Sequence, residues 1–482
     1  MSGLRPLDAR EVPEHALQVL RTLQEAGHAA WLAGGCVRDL LLGGAAQDFD
    51  VATSARPESV VRLFAHTVPT GLVHGTVTVV TTVAHVEVTT FRGEGRYLDG
   101  RRPSSVHFLD DITGDLARRD LTVNAIAWDP LHAAFADPFD GQRDLVDRVI
   151  RAVGDPVARF TEDGLRPLRA VRFATTLRFR FDRATRRAIA SALPSFEKVA
   201  AERVKDELSK LLVRGQPPSR GIELMRRTGL LARVVPELLE GVGFEQNRWH
   251  AYDVYRHTLH ALDHTPPDLG LRLAGLLHDI AKPRTASMAV EGAPLAPRGE
   301  HHFYDHEHVG RDVTLRILER LKFPRKLSDH VALLVDEHNW HYRPEWSDGT
   351  VRRHAARIGL ESLAPLWALR RADLLARGRY VDEGLANLDE TKARFDSVLA
   401  QDRALKIADL DVRGPDVMAA LGVGPGPVVG QAMRWLLERV LDEPSVNRRE
   451  TLLALLVSPE APRFASSTGG PQTAGLRPAP GS

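Results

Sequence analysis

An amphipathic pattern with helical period runs from Glu14 to Glu25, and the apolar stretch Ala29-Ala30-Trp31-Leu32-Ala33 that follows predicts a short strand ending at Gly34 and Gly35. The β-branched runs Val77–Val80 and Val86–Thr90 predict two further strands, with a turn near Ala84-His85. Thr122 to Ala127 reads as another strand, and Asp137-Pro138-Phe139-Asp140-Gly141 as a turn. Past Asp155 strand signals nearly vanish. Leu/Ala/Arg-rich helical patterns continue to about Leu456, broken by loops at Gln216-Pro217-Pro218 and His264-Thr265-Pro266-Pro267. After Ser458 the chain is rich in Pro, Gly, Ser, Thr and Ala, a composition that predicts disorder. The expected class is α+β, with a sheet-plus-helix head over residues 1–150 and a helical remainder.

Composition narrows the possibilities. A chain of 482 residues exceeds what one core serves, so two to four domains are expected. The 43% hydrophobic and 26% charged residues suit a globular protein, and no uncharged apolar run approaches a membrane span. One cysteine, Cys36, excludes an internal disulfide framework and suits a reducing compartment. The first residues lack the apolar core of a signal peptide, so a cytoplasmic location is expected. Net charge is +1, from 64 basic and 63 acidic residues, so any nucleic-acid binding must rely on local patches.

The densest chemistry lies where Gly34-Gly35-Cys36-Val37-Arg38-Asp39 is followed by Asp48-Phe49-Asp50-Val51. On an extended strand Asp48 and Asp50 emerge on one face. Two carboxylates so held can bind Mg²⁺ beside triphosphate oxygens, and the glycine pair removes side chains where backbone N–H groups must approach a phosphate. An isolated Asp-x-Asp is more often a solvated turn; the ordered set is far more specific.

That set resembles the signature of the class II tRNA nucleotidyltransferase and bacterial poly(A) polymerase family. Arg118-Arg119-Asp120-Leu121-Thr122-Val123-Asn124-Ala125 is similar to the family's ribose-binding motif, Glu162-Asp163-Gly164-Leu165-Arg166 to its base-selection motif, and Glu202–Leu208 to the neck helix beyond. The resemblance implies a polymerase-β-like head, a helical neck over residues 151–240, and in-line attack of an RNA 3′ hydroxyl on an α-phosphate. It implies that Asp48 and Asp50 hold two Mg²⁺ ions. Gly34, Gly35, Arg38, Arg119, Asp120, Asn124, Asp163, Arg166 and Arg169 would form the nucleotide site. Glu87 is a candidate third carboxylate or an exposed strand charge, and Arg38 faces the triphosphate or forms a structural ion pair. Asp120 and Asn124 have the chemistry to bond ribose hydroxyls.

Asp163 and Arg166, three apart on a helix, would share a face. Their carboxylate and guanidinium complement the amine and ring nitrogen of cytosine or adenine and would leave guanine or uracil unpaired. Pro167 departs from the family pattern. With Thr161 as the N-cap, Pro167 falls in the second turn and removes a hydrogen bond; if Pro167 opens the helix, Asp163 and Arg166 need not share a face. Among the arginines from Arg166 to Arg187, some would line the nucleotide or phosphate path and others a solvated face.

A second constellation, His257, His278-Asp279 and Asp373, resembles the HD phosphohydrolase superfamily, implying an HD body over 241–400 and a helical tail over 401–458 before the segment 459–482. Imidazoles with a hard carboxylate suit Ni²⁺, Mn²⁺, Fe²⁺ or Zn²⁺. His306 and His338 fall where two-metal members add ligands, although some of the 20 histidines must be bystanders. The expected activity is addition of CMP and AMP from CTP and ATP to a tRNA 3′ end, with a phosphatase or 2′,3′-cyclic phosphodiesterase in the HD body. A CC-adding or A-adding half-enzyme, a poly(A) polymerase, or an RNA-binding phosphohydrolase with an inactive head remain alternatives. The resemblance implies that the segment Thr70–Thr76 favours the tRNA branch, and the sequence leaves oligomeric state open.

Overall fold

The computed structural model describes residues 4–46, 48–71, 75–94, 106–288, 301–340, 342–401 and 405–464. The expected disordered tail beyond Phe464, and residues 72–74 of the segment that favoured the tRNA branch, lie outside these. The chain divides into two compact units, Met1–Val335 and Asp336–Ser482.

In the first unit α1 (Glu14–Glu25) buries Ala16, Leu17, Val19, Leu20 and Leu23, the stripe its periodicity requires. It leads into a seven-stranded sheet of β1 (Ala30–Ala33), β2 (Val51–Thr53), β3 (Thr67–Gly71), β4 (Thr76–Val80), β5 (His85–Thr90), β6 (Ala127–Asp129) and β7 (Ala134–Ala136). The spatial order is β3-β4-β5-β2-β1-β6-β7. Neighbours run antiparallel except β2 and β5, which are parallel with Val51 opposite Val88. Between β1 and β2 lies α2 (Gly35–Leu41).

Two local expectations are corrected. Asp48 and Asp50 are not on a strand, because β2 begins at Val51. The alternation survives in the loop: Phe49 is buried at 8% exposure while Asp48 and Asp50 both face solvent. Thr122–Ala127 is not one strand either. Thr122–Asn124 form a 3-10 turn before β6, in which Thr122 Oγ1 donates to buried Asp144 and Asn124 Nδ2 donates to Asp120. Side-chain partners for these polar residues outcompete a strand ladder.

The rest of this unit is mainly helical. Asp155 caps α3 (Pro156–Glu162); α4 (Arg166–Thr176) follows and packs against α5 (Ala201–Arg214). Further on, α6 (Val254–His264) packs on α7 (Leu269–Leu277), and α8 (His306–Arg320) begins after a short antiparallel ribbon. The second unit contains α9 (Leu360–Ala376) and the long α10 (Val381–Gln401), with a further core around Val417, Leu436 and Leu452. Among the described residues no helix is long and apolar enough to cross a membrane.

Candidate active site and metal cluster

Gly34 closes β1 with φ +90°, a conformation that side chains rarely adopt. A Cβ there would lie 2.3 Å from Nη1 of Arg119, so glycine is required for both shape and dihedral. Beside it, the parallel register puts Asp50 and Glu87 level, each one residue ahead of the Val51–Val88 pair. Asp50 is further anchored by its carbonyl, which accepts from the amide of Ala33. Among the described residues no cation makes an ion pair with Asp48, Asp50 or Glu87. Asp50 accordingly titrates high, at about 6: crowding by surrounding atoms dehydrates it and Glu87 repels its charge, Arg119 offsets part of this, and Asp48 adds further repulsion. Three acidic groups gathered with little compensation are a donor set that fits a hard divalent cation.

Deeper in, the ribose-motif residues form a chain of contacts. Arg38 Nη1 donates to Asn124 Oδ1 at 2.5 Å, and Arg169 Nε donates to Asp120 Oδ2 at 2.8 Å. Arg38 also pairs with Asp39, which is the structural alternative foreseen for it. Burial alone would push the Asp120 carboxyl up, but Arg169 and the Asn124 amide hold it well below the usual carboxylate range. Arg119 bridges Asp115 and the Asn124 carbonyl. Guanidinia of Arg38 and Arg172 lie 4.9 and 3.8 Å from the Phe173 ring centre.

Asp163 and Arg166 do not form the side-by-side helical pair. Asp163 is the extended residue ending α3, and Arg166 opens α4 with Pro167 at its second position, so Thr161 is not an N-cap. Pro167 there forfeits no helical hydrogen bond. Arg203 grips Asp163 at 3.1 and 2.8 Å, while buried Arg166 donates to Glu162 at 2.8 Å and to the carbonyls of Arg159 and Arg118. Sequence inspection missed Arg203, Phe173 and Glu207. Glu207 had a signal: it falls in the apolar stripe of α5, between Val204 and Leu211.

The second cluster gathers His257, His278 and Asp279, all at 0% exposure. His257 Nε2 lies 3.2 Å from His278 Nε2, and both lie within 3.3 Å of Asp279 Oδ2. His306 Nε2 is 3.5 Å from Asp279 Oδ1. The Nδ1 atoms of His278 and His306 face the carbonyls of Gly275 and Phe303 at 3.0 and 2.7 Å. Donation there turns each Nε2 toward its neighbours, where a lone pair would serve a shared cation and, without one, a proton on Nε2 answers the Asp279 carboxylate. Burial opposes the Asp279 charge, yet His278 and Lys282, its Nζ 2.7 Å away, hold the carboxyl far below its ordinary value. Asp373 and His338 belong to the second unit, where Asp373 lies against Arg370 and Arg377.

Three stretches of the chain match known families. Residues 30–151 match the poly A polymerase head domain, 178–241 the probable RNA- and SrmB-binding site of polymerase A, and 309–456 a tRNA nucleotidyltransferase domain 2. The CCA-adding enzyme of Limosilactobacillus reuteri is 46% identical over 217 residues, 45% of this chain and 53% of that protein. That of Levilactobacillus brevis is 43% identical over 249 residues, 49% of this chain and 62% of that one. The chain thus spans about half the length of the curated relatives it matches. In three dimensions it is similar to the Bacillus stearothermophilus CCA-adding enzyme in complex with CTP, with TM-score 0.66 and 29% identity over 92% of this chain and 96% of that one. The fold class expected from the sequence, a nucleotidyltransferase head followed by helices, is the one observed.

Proposed function

We propose that this chain, whose residues 30–151 match the poly A polymerase head domain and 178–241 a probable RNA-binding site of polymerase A, adds CMP and AMP from CTP and ATP to the 3′ end of tRNA. The observation that carries this reading is the acidic set of Asp48, Asp50 and Glu87 beside Gly34, offset only in part by Arg119. Asp48 and Asp50 would hold Mg²⁺, with Glu87 alongside. The cation supplies charge neutralisation for the triphosphate and lowers the pKa of the attacking hydroxyl. Gly34 keeps the approach to the phosphates open, with Gly35 after it. Arg119, backed by Asp115, offers positive charge there, while Asp120 and Asn124, fixed by Arg169 and Arg38, are positioned to bond ribose hydroxyls. Base choice between C or A and G or U falls to Asp163 and Arg166, each exchanging an internal partner, Arg203 or Glu162, for the base edge.

The relatives' shared description and the CTP complex of the similar structure support this choice of substrates. Purified protein is to be given tRNA ending at the discriminator base, with CTP and ATP singly and together. CCA at single-nucleotide resolution is the expected product; CC-only, A-only or long poly(A) products would replace it with the rival readings.

A second reaction is favoured by the buried imidazole–carboxylate cluster. His257, His278 and Asp279, with His306, would bind a transition metal such as Ni²⁺, Mn²⁺, Fe²⁺ or Zn²⁺ and serve phosphoester hydrolysis. Hydrolysis of a 2′,3′-cyclic phosphate lost in Asp279→Ala but kept in Asp48→Ala is the expected result. Unchanged hydrolysis in Asp279→Ala would remove this activity from the cluster.

A further inference from the structure

The second unit holds a pocket that neither proposed reaction uses. On α9, Trp367, Arg370, Leu374 and Arg377 follow at steps of three and four residues, so one helical face and its end carry two guanidinia and an indole. On α10, Asn387 and Thr391 face the same space, and Trp340 and Tyr342 complete its wall. The cavity measures about 210 Å³.

Its aromatic wall is held in place. Trp340 stacks on Trp346 at 5.9 Å, meets Trp367 edge-on at 5.5 Å, and lies 5.4 Å from Phe395. The guanidinia are held too: Asp373 lies 3.6 Å from Arg370 and 3.4 Å from Arg377, and Arg370 donates to Asn339. Two buried donors, Trp340 Nε1 and Arg377 Nε, meet no acceptor among the described residues.

The lining selects the ligand chemistry. Indole faces take up flat π systems, guanidinia take phosphate oxygens, and a carboxamide offers a donor and an acceptor to a base edge. An apolar ligand would strand the guanidinia, and an inorganic anion would leave the indoles unused. The volume falls below the roughly 300–1,000 Å³ of drug-sized ligand sites, which suits one base with its phosphate better than a longer segment. We propose that this pocket is a subsite for a single nucleotide, its base against Trp340 and Trp367 and its phosphate on Arg370 and Arg377. The nucleotide is either free in solution or part of an RNA strand. This assignment stands independently of both reactions proposed above.

The test uses the full chain and single-stranded RNA carrying 5-bromouridine. Irradiation is expected to give crosslinks on peptides containing Trp340, Tyr342 or Trp367, identified by mass spectrometry. Arg377→Gln and Asn387→Ala should each cut that crosslink about tenfold, as expected for loss of a phosphate or base contact. Nucleotide addition should stay unchanged in both, Tm should stay unchanged in Asn387→Ala, and a single cooperative thermal transition in Arg377→Gln reports that its fold is intact despite the lost Asp373 contact. Competition by millimolar UMP would identify a site for free nucleotide, and competition by RNA alone a site for a strand. Absence of crosslinks from these peptides, or crosslinks indifferent to both substitutions, would overturn the proposal.

Discussion

Glu207 Oε2 lies 2.5 Å from Arg172 Nε, and both side chains are buried. The same carboxylate stands 3.7 Å from Arg169, which also pairs with Asp120 of the ribose motif. One glutamate in the neck thereby fixes two guanidinia that support the nucleotide-binding residues of the head. Dehydration pushes the Arg172 guanidinium down, and Glu207 counters that.

Glu207→Leu should therefore destabilise the first unit, because it leaves buried positive charge unpaired. Losses of this kind run to about 3–5 kcal/mol, read as a lowered denaturation midpoint. Glu207→Gln should cost less and raise KM for CTP and ATP with a smaller change in kcat. A midpoint unchanged in Glu207→Leu would show that Arg172 finds another partner.

Asp50 gives a pH prediction. Its folded-state value of about 6 lies above the ordinary carboxylate value of 3.8. The folded protein therefore holds this proton more tightly than the unfolded chain, and the associated stability fades as pH rises from 3.8 to 6. Above pH 6 the ionised group is a net cost without metal, reduced by its solvent exposure. Asp50→Asn should thus abolish nucleotide addition yet raise Tm at neutral pH by about 2 °C in metal-free buffer. For the unaltered protein, addition at low Mg²⁺ should fall as pH drops through about 6, and excess Mg²⁺ should move that fall to lower pH.

Gly34→Ala places a methyl where Nη1 of Arg119 now lies, in a backbone conformation that costs a non-glycine residue about 1–3 kcal/mol. Tm should fall and KM for the nucleotide should rise together. A nucleotide titration on the variant checks this, and unaltered affinity would detach Gly34 and Arg119 from the phosphate path.

Asp163→Asn should relax the preference for C and A over U and G, since the neutral amide no longer supplies an acceptor-only edge. Arg203→Ala, by contrast, should leave discrimination in place and shift KM, because Arg203 only holds Asp163 before the base arrives. Competition assays with all four triphosphates separate the two effects.

Much of the fold could be read from local pattern. The helix over Glu14–Glu25 and the strand at His85–Thr90 bury one face at their own period, while the apolar or β-branched runs at Ala30–Ala33 and Thr76–Val80 are buried through most of their length. The Asp48–Phe49–Asp50 alternation was likewise legible, even though the segment proved to be a loop leading into β2. The resemblance to the HD phosphohydrolases pointed to the imidazoles and the carboxylate that meet around Asp279, where His257 lies on α6 and His278 and Asp279 directly follow the buried apolar α7.

Only the tertiary structure decided which side chains share partners. Asp163 pairs with Arg203 from 40 positions away and Arg172 with Glu207 from 35, distances over which no local periodicity carries information. Asp50 acquires its raised affinity for a proton first from dehydration by the atoms packed around it and then from Glu87, on a strand that becomes its neighbour through sheet order. Local backbone preference is encoded within a few residues, whereas dehydration and charge pairing depend on surfaces brought together by the whole fold.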